Sequence, residues 1–194
     1  MMLKVLSENT AASEDFGCEH GLSLYVETGQ HRLLFDTGAS GLFAENADKL
    51  GASLSAVDIA VLSHGHYDHG GGLKTFLEKN ERQRSMCRSG PLNRIIWGTV
   101  HCAHRGILNI VRQFTSDYGH FPDVVIGGFH LHSRGSGKSE SPEAVDTLAR
   151  ELLQTGARYY TCHCTGQEAY QRLKAVMGNR IGYLSTGSRL AISL

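Results

Sequence analysis

The stretch SHGHYDHGGG spans residues 63–72 and directly follows the apolar run Val57–Leu62. His64, His66, Asp68 and His69 therefore lie within six residues, at the end of a predicted buried strand. Neutral imidazole and carboxylate are ligands that suit zinc, iron and manganese. Residues two apart at a strand end can converge on one ion, so we expect His64 and His66 to share an ion and Asp68 and His69 to face a second. The surrounding glycines are expected to let the loop fold tightly.

The composition of the chain is that of a globular protein. It has 194 residues, 41% of them hydrophobic, and 19 basic side chains balance 19 acidic ones. This size predicts a single domain over residues 1–194. Zero net charge argues against nucleic acid and against a charged membrane surface. Five cysteines indicate reduced thiols, and Met1–Leu6 is interpreted as a strand rather than a signal peptide, so a cytoplasmic location is expected.

Hydrophobic periodicity predicts strands that alternate with helices, and hairpins near both ends of the chain. The predicted strands are 2–6, 22–26, 31–35, 57–62, 95–98, 124–126, 158–161, 181–184 and 190–193, the last two pairing with each other. The predicted helices are 40–50, 73–79, 106–117, 142–155 and 167–177, and 133–141 is a predicted mobile loop. This order favours a layered α/β domain with a mixed sheet.

Further metal-type residues follow other predicted strands. His104, His130 and His163 come after the strands at 95–98, 124–126 and 158–161, and Asp36 comes after the strand at 31–35. Sites in α/β proteins gather beyond the carboxyl ends of strands, so these residues are expected to meet the 63–72 loop at one rim.

The motif HGHYDHGGG resembles the metal-binding motif of the metallo-β-lactamase superfamily, and LFDTG at 34–38, His104 and His163 fall in that family's order. The segments CAHRGILNIV (102–111), IGGFHL (126–131) and HCTG (163–166) resemble its dihydropteroate-synthase-like branch. That branch includes the 7,8-dihydropterin-6-methyl-4-(β-D-ribofuranosyl)aminobenzene 5′-phosphate synthase. Arg105 departs from the branch, which has Pro there, and the stretch between His69 and His104 is shorter.

This resemblance implies a four-layer αββα sandwich with a dinuclear metal site. One metal would be bound by His64, His66 and His104, and the other by Asp68, His69 and His163. His130 takes the position of the superfamily's bridging ligand, and Asp36 supports the ligands from behind. The expected cofactor is a pair of zinc ions, with manganese or iron as alternatives. Asp68 is also expected to act in catalysis by accepting or relaying a proton.

Several residues admit other interpretations. Cys162 and Cys164 flank His163 and suggest a thiolate site, although adjacent strand residues point to opposite faces. Cys102 beside His104 suggests a nucleophile–base pair. His132 is the candidate for substrate contact. Four arginines at 82, 84, 88 and 94 form either an anion-binding segment or a solvated basic loop.

The expected function is hydrolysis of a small phosphoester, thioester or lactone by metal-activated hydroxide. A pterin-pathway transferase is the alternative within enzymes. A metal-binding protein without turnover and an iron-dependent oxidoreductase that uses oxygen are further alternatives. The expected partner is a small-molecule substrate, and the sequence leaves homo-oligomerisation open.

Overall fold

A computed structural model describes residues 1–81, 95–97, 103, 106–133 and 137–193 of the chain. His104, Cys102, Arg105 and the arginines between 82 and 94 lie outside the described residues, so the predictions about them stay predictions. The chain forms two compact units, one comprising Met1–Val100 and Ser185–Leu194 and the other His101–Leu184. The prediction of a single domain is not tested by this division. Within the described residues, no helix has the length and hydrophobicity that crossing a membrane requires.

The first unit contains a six-stranded mixed sheet with the strand order β11-β1-β2-β3-β4-β5. The strands are β1 Met2–Ser7, β2 Ser23–Glu27, β3 Arg32–Phe35, β4 Ile59–Leu62, β5 Ile95–Trp97 and β11 Arg189–Ala191. β1, β2 and β3 pair antiparallel, whereas β3, β4 and β5 pair parallel. The predicted mixed sheet is therefore confirmed. The carboxyl ends of β3 and β4 lie side by side and carry Asp36 and the 63–72 loop.

Helices α1 (Leu42–Leu50), α2 (Tyr67–Gly70) and α3 (Leu73–Lys79) complete this unit, with a 3-10 turn at Leu54–Ala56. Phe43 and Phe76 of α1 and α3 are fully buried with Leu34 and Leu62 of the sheet. This burial of apolar side chains is the main force that holds the helices on the sheet. Gly51 ends α1 in the left-handed conformation, with φ of 62°, as the sequence predicts.

The second unit contains a three-stranded parallel sheet in the order β10-β9-β6. Its elements are α4 Ile107–Tyr118, β6 Val124–Gly127, β7 His132–Ser133, β8 Lys138–Ser139, α5 Pro142–Gln154, β9 Arg158–Thr161, α6 Gln167–Met177 and β10 Ile181–Tyr183. Ser141 caps α5, because its side chain accepts a hydrogen bond from the N–H of Ala144 at 3.2 Å. β6 and β9 are parallel neighbours, so the loops after them leave the sheet at the same edge.

Two predictions about this part of the chain are wrong. The strands near 181–184 and 190–193 do not pair with each other: Ile181 pairs with Tyr159 in β9, whereas Leu190 pairs with Leu3 in β1. The segment between them does not form a hairpin because Thr186 donates to the carbonyl of Thr10 and bridges to another loop. The predicted loop at 133–141 instead contains Ser133 of β7 and all of β8, which pair antiparallel, and its predicted mobility stays a prediction.

Candidate metal centre

The metal-type side chains of the first unit form two adjacent groups. In the first group, Nε2 of His64 lies 3.0 Å from Nδ1 of His66. In the second, Oδ2 of Asp68 lies 3.3 Å from Nε2 of His20 and 3.7 Å from Nε2 of His69. The rings of His64 and His69 lie 4.1 Å apart between centroids, so the two groups are neighbours.

Asp36 contacts Ser63 and His69 of this region and is almost fully buried. Its carboxylate accepts hydrogen bonds from the backbone N–H and the hydroxyl of Ser63, both at 2.7 Å. Oδ2 also lies 2.6 Å from Nδ1 of His69. A carboxylate only accepts hydrogen bonds, so Nδ1 of His69 carries the proton and Nε2 keeps its lone pair. That tautomer presents Nε2 as a ligand atom.

The hydroxyl of Ser63 lies between Asp36 and His64 and fixes the tautomer of the His64 ring. Its hydroxyl donates to Asp36, so at 2.9 Å from Nδ1 of His64 the oxygen acts as the acceptor. Nδ1 of His64 therefore carries the proton, and its Nε2 is the nitrogen with the lone pair. One buried carboxylate thus orients two predicted ligands, one directly and one through a serine hydroxyl.

The protonation state of His64 also fits a ligand. Burial, with the nearby imidazoles of His69 and His66, lowers the pKa of His64 from 6.5 to about 4. The ring is therefore neutral at neutral pH, which is the form that binds a metal ion.

Three close backbone contacts shape the ligand loop. A Cβ at Gly72 would lie 2.3 Å from the carbonyl oxygen of Thr37, and one at Gly71 would lie 2.2 Å from that of Ala39. A Cβ at Gly21 would lie 2.8 Å from the carbonyl oxygen of Asp68. Only glycine fits such positions without moving the backbone. At Gly65 a Cβ would meet nothing within 4 Å, so no close contact requires glycine at that position.

His20 was missed by the sequence analysis. It lies in a polar loop with no metal-ligand spacing, and only its neighbour Gly21 hints at a close approach. The structure holds this loop against the ligand motif because the N–H of Leu22 donates to the carbonyl of Asp68 at 3.0 Å. His20 is half-buried, and its Nε2 faces the carboxylate of Asp68.

In the second unit, His130 and His163 follow the parallel strands β6 and β9, as the sequence predicts. The two loops are joined by a hydrogen bond from the N–H of Phe129 to the hydroxyl of Thr165, 2.8 Å long. Burial lowers the pKa of His130; the carboxylate of Glu140 raises it and His163 lowers it, and the net shift is downward. His163 itself is buried at the start of a 3-10 turn, His163–Thr165.

Backbone strain marks these same positions. Among the described residues, the left-handed region is occupied by four residues other than glycine. They are Asp36, Ala103, His130 and His163, with φ of 59°, 37°, 56° and 52°. Such strain costs about 1–3 kcal/mol at each residue and concentrates at functional sites. Three of the four are residues that the sequence assigns to the metal site.

The remaining candidates have simpler surroundings. Nδ1 of His132 lies 3.1 Å from the hydroxyl of Ser139 across the β7–β8 pair, and its predicted contact with substrate stays a prediction. Cys162 is buried and Cys164 is half-buried, and neither forms a disulfide. Within the part of the chain that the structure describes, neither thiol belongs to a cluster of metal-type donors. The thiolate alternative therefore has no support from the described residues.

Comparison with known proteins agrees with this description. Residues 16–81 match the model of the Metallo-beta-lactamase superfamily. The chain is 39% identical over 79 residues to the uncharacterized protein MJ0448 of Methanocaldococcus jannaschii. That match covers 41% of this chain and 30% of the archaeal protein. It therefore spans less than a third of the relative's length.

Solved structures share the fold over the full chain. Tm1679, a metal-dependent hydrolase of the beta-lactamase superfamily, has a TM-score of 0.75 at 22% identity, with 100% of this chain and 99% of that chain covered. The metallo-beta-lactamase fold protein YhfI from Bacillus subtilis has a TM-score of 0.59 at 12% identity, with 98% of this chain and 99% of that chain covered. Human tRNase Z, short form, has a TM-score of 0.57 at 13% identity, with 100% of both chains covered.

Residues 16–81 thus match the family model of the metallo-β-lactamase superfamily, and the chain has the α/β metallo-β-lactamase fold. The fold class predicted from the sequence is confirmed. At these identities the structural likeness establishes the fold and leaves the substrate to other arguments.

Proposed function

We propose that the protein is a metal-dependent hydrolase that acts on a small-molecule substrate. The observation that carries this proposal is the group of imidazole and carboxylate donors in the loop that follows β4. The buried carboxylate of Asp36 orients this group. The similarity to Tm1679, described as a metal-dependent hydrolase, supports it.

The donor groups fit a divalent metal ion. Two nitrogen ligands of a tetrahedral zinc ion, each at about 2.0–2.1 Å, lie about 3.3 Å apart. The nitrogens of His64 and His66 lie 3.0 Å apart, which is close to that spacing. We propose that His64 and His66 hold one ion together with His104. Asp68, His69 and His163 would hold a second, with His130 in the bridging position.

Divalent cations, when bound, would lower the pKa of a water molecule towards about 7 and would stabilise negative charge that develops on the substrate. The chain's own residues would orient and move protons. Asp36 and Ser63 keep the ligand nitrogens of His69 and His64 unprotonated. Asp68, with 8% of its surface exposed, is positioned to accept or relay a proton, and His20 lies against its carboxylate.

Zinc is the metal we favour, because His and Asp ligands in tetrahedral sites are typical of it, with manganese and iron as alternatives. The motifs at 102–111, 126–131 and 163–166 support a relationship with the dihydropteroate-synthase-like branch. Phosphoesters, thioesters and lactones remain the substrate classes to be compared.

The test combines metal analysis with a substrate panel. Wild-type protein, dialysed and reloaded with zinc or manganese, is expected to bind up to two ions per chain and to hydrolyse at least one class of substrate. His64→Ala and Asp68→Ala are expected to lose metal and turnover together. The control is His31→Ala, since His31 also pairs with a carboxylate, that of Asp58 at 3.0 Å, but on an exposed hairpin. Full metal binding and turnover in His64→Ala or in Asp68→Ala would refute the proposal.

A further inference from the structure

A cavity of about 340 Å³ lies within the second unit, beside His130. Its walls come from the start of α4, the loop after β6 and the segment that leads into α5. The described lining residues are Ala103, Gly106, Ile107, Leu108, Asn109, Phe129, His130, Leu131, Glu140, Ala144 and Leu148. The volume is within the range of small-molecule sites, roughly 300–1,000 Å³.

The walls of this cavity are mainly apolar. Ile107, Phe129 and Leu131 are buried core residues whose side chains also reach the cavity. Leu108 and Leu148 are half-buried and extend the apolar lining towards solvent. Such a surface stabilises a hydrocarbon group by removing it from water, at roughly 25 cal/mol per Å². The cavity is therefore built to bind the apolar part of a ligand.

The carboxylate of Glu140 in the lining disfavours an anion in this cavity. Among the described lining residues, Glu140 is the one charged side chain, and no lysine or arginine accompanies it. A phosphate group placed here would meet a carboxylate and an apolar wall, and both raise the cost of burying negative charge. A neutral ligand carries no charge to bury and is not repelled by the carboxylate. Of the substrate classes above, esters, thioesters and lactones fit the cavity better than phosphoesters.

We propose that this cavity binds the apolar acyl group of a neutral ester, thioester or lactone, and places its carbonyl beside His130. The inference rests on the proposed hydrolase function, because His130, which lines the cavity, is itself one of the predicted metal ligands. In the reaction, water forms a bond to the acyl carbon and the C–O or C–S bond breaks. The leaving oxygen or sulfur takes up the proton that the water loses. An ester or thioester gives a carboxylic acid and an alcohol or thiol, a lactone gives a single hydroxy acid, and water is the sole co-reactant.

Ala144→Phe tests the inference in the metal-loaded protein, because it places a ring at the cavity wall. The matched control is Thr147→Phe, which adds the same ring to α5 at an exposed position outside the cavity lining. The unreactive probe is N-phenylbutyramide, measured by calorimetric titration. The reactive probes are p-nitrophenyl butyrate and p-nitrophenyl phosphate.

We expect Ala144→Phe to weaken binding of the amide by about tenfold or more and to raise KM for the butyrate ester, since apolar pockets discriminate by roughly 10–200-fold. Thr147→Phe should stay within about twofold of wild type in both measurements. The wild-type protein should prefer the ester to the phosphate. Leu148→Ala provides a second reading if Ala144→Phe fails to fold, because the enlarged cavity should shift the preference towards p-nitrophenyl octanoate.

Two failures are distinguishable. If the ester is hydrolysed but amide binding is the same in Ala144→Phe and Thr147→Phe, the cavity assignment is wrong and the hydrolase proposal stands. If the amide binds and only Ala144→Phe weakens it, while the metal-loaded protein turns over neither probe, the site stands and the assigned chemistry is wrong. Preferential hydrolysis of the phosphate would overturn the inference directly.

Discussion

Replacing Asp36 with alanine removes the acceptor for three buried donors of the ligand loop. These are the backbone N–H and the hydroxyl of Ser63, each at 2.7 Å, and Nδ1 of His69 at 2.6 Å. A hydrogen bond to a charged acceptor contributes about 1.5–3 kcal/mol, and breaking a buried pair costs about 3–5 kcal/mol. We therefore expect Asp36→Ala to lower the free energy of unfolding by about 3–5 kcal/mol.

The measurement is urea unfolding of metal-free protein, followed by circular dichroism, so that loss of metal does not contribute. Asp58→Ala is the matched control. Its carboxylate also accepts a backbone N–H, from Arg32 at 3.0 Å, and pairs with a histidine, but it lies just before β4 beside the exposed His31, and its own side chain is 25% exposed. Exposed pairs contribute about 0–1 kcal/mol, so this variant should unfold almost like wild type.

Asp36→Asn separates the role in metal binding from the role in stability. The amide keeps the shape of the side chain but places an NH2 group against one of the donors. The tautomer of His69 is then no longer enforced, and loss of such a partner typically weakens metal binding by about 10–100-fold. Equal unfolding free energies for Asp36→Ala and Asp58→Ala, or wild-type zinc affinity in Asp36→Asn, would contradict this account of the site.

Four further outcomes are expected. Ser63→Ala should lower zinc affinity by about tenfold in calorimetric titration, because the link between the carboxylate and the His64 ring is lost. Gly72→Ala should lower the melting temperature strongly because its Cβ would lie 2.3 Å from a backbone oxygen, whereas Gly65→Ala should leave it almost unchanged. The unfolding free energy of metal-free protein should fall as pH drops from 6.5 to about 4, because unfolded His64 binds a proton there and folded His64 does not; His64→Asn should flatten this profile. His20→Ala should weaken one of two zinc-binding steps and spare the other, and two unchanged steps would show that His20 has no part in metal binding.

Local patterns in the sequence account for much of the fold. The helix that begins at Pro142 is predictable because its Ser141 cap and its first residue are adjacent in the chain. The ligand loop is predictable for the same reason: an apolar strand is followed at once by imidazole and carboxylate side chains. Asp36 is recognisable because it follows β3, whose parallel neighbour β4 carries the loop.

The failures involve partners that are distant in sequence. Residues 181–183 and 189–191 both have strand character, but the same pattern permits pairing with each other or with other strands. In the folded units, Ile181 pairs with Tyr159 and Arg189 pairs with Lys4. The hydrophobic periodicity of a strand indicates which of its faces is buried. It carries no information on which strand lies beside it.

The sequence by itself determined the types of the candidate ligands, the order of the strands that carry them and the fold class. The tertiary structure alone decided which atoms bind the proton in the ligand rings and that His20 faces Asp68. The reason is physical. Residue type and local spacing set the available donors and the backbone conformation, whereas a hydrogen bond between distant residues exists only after the loops that carry them have packed together.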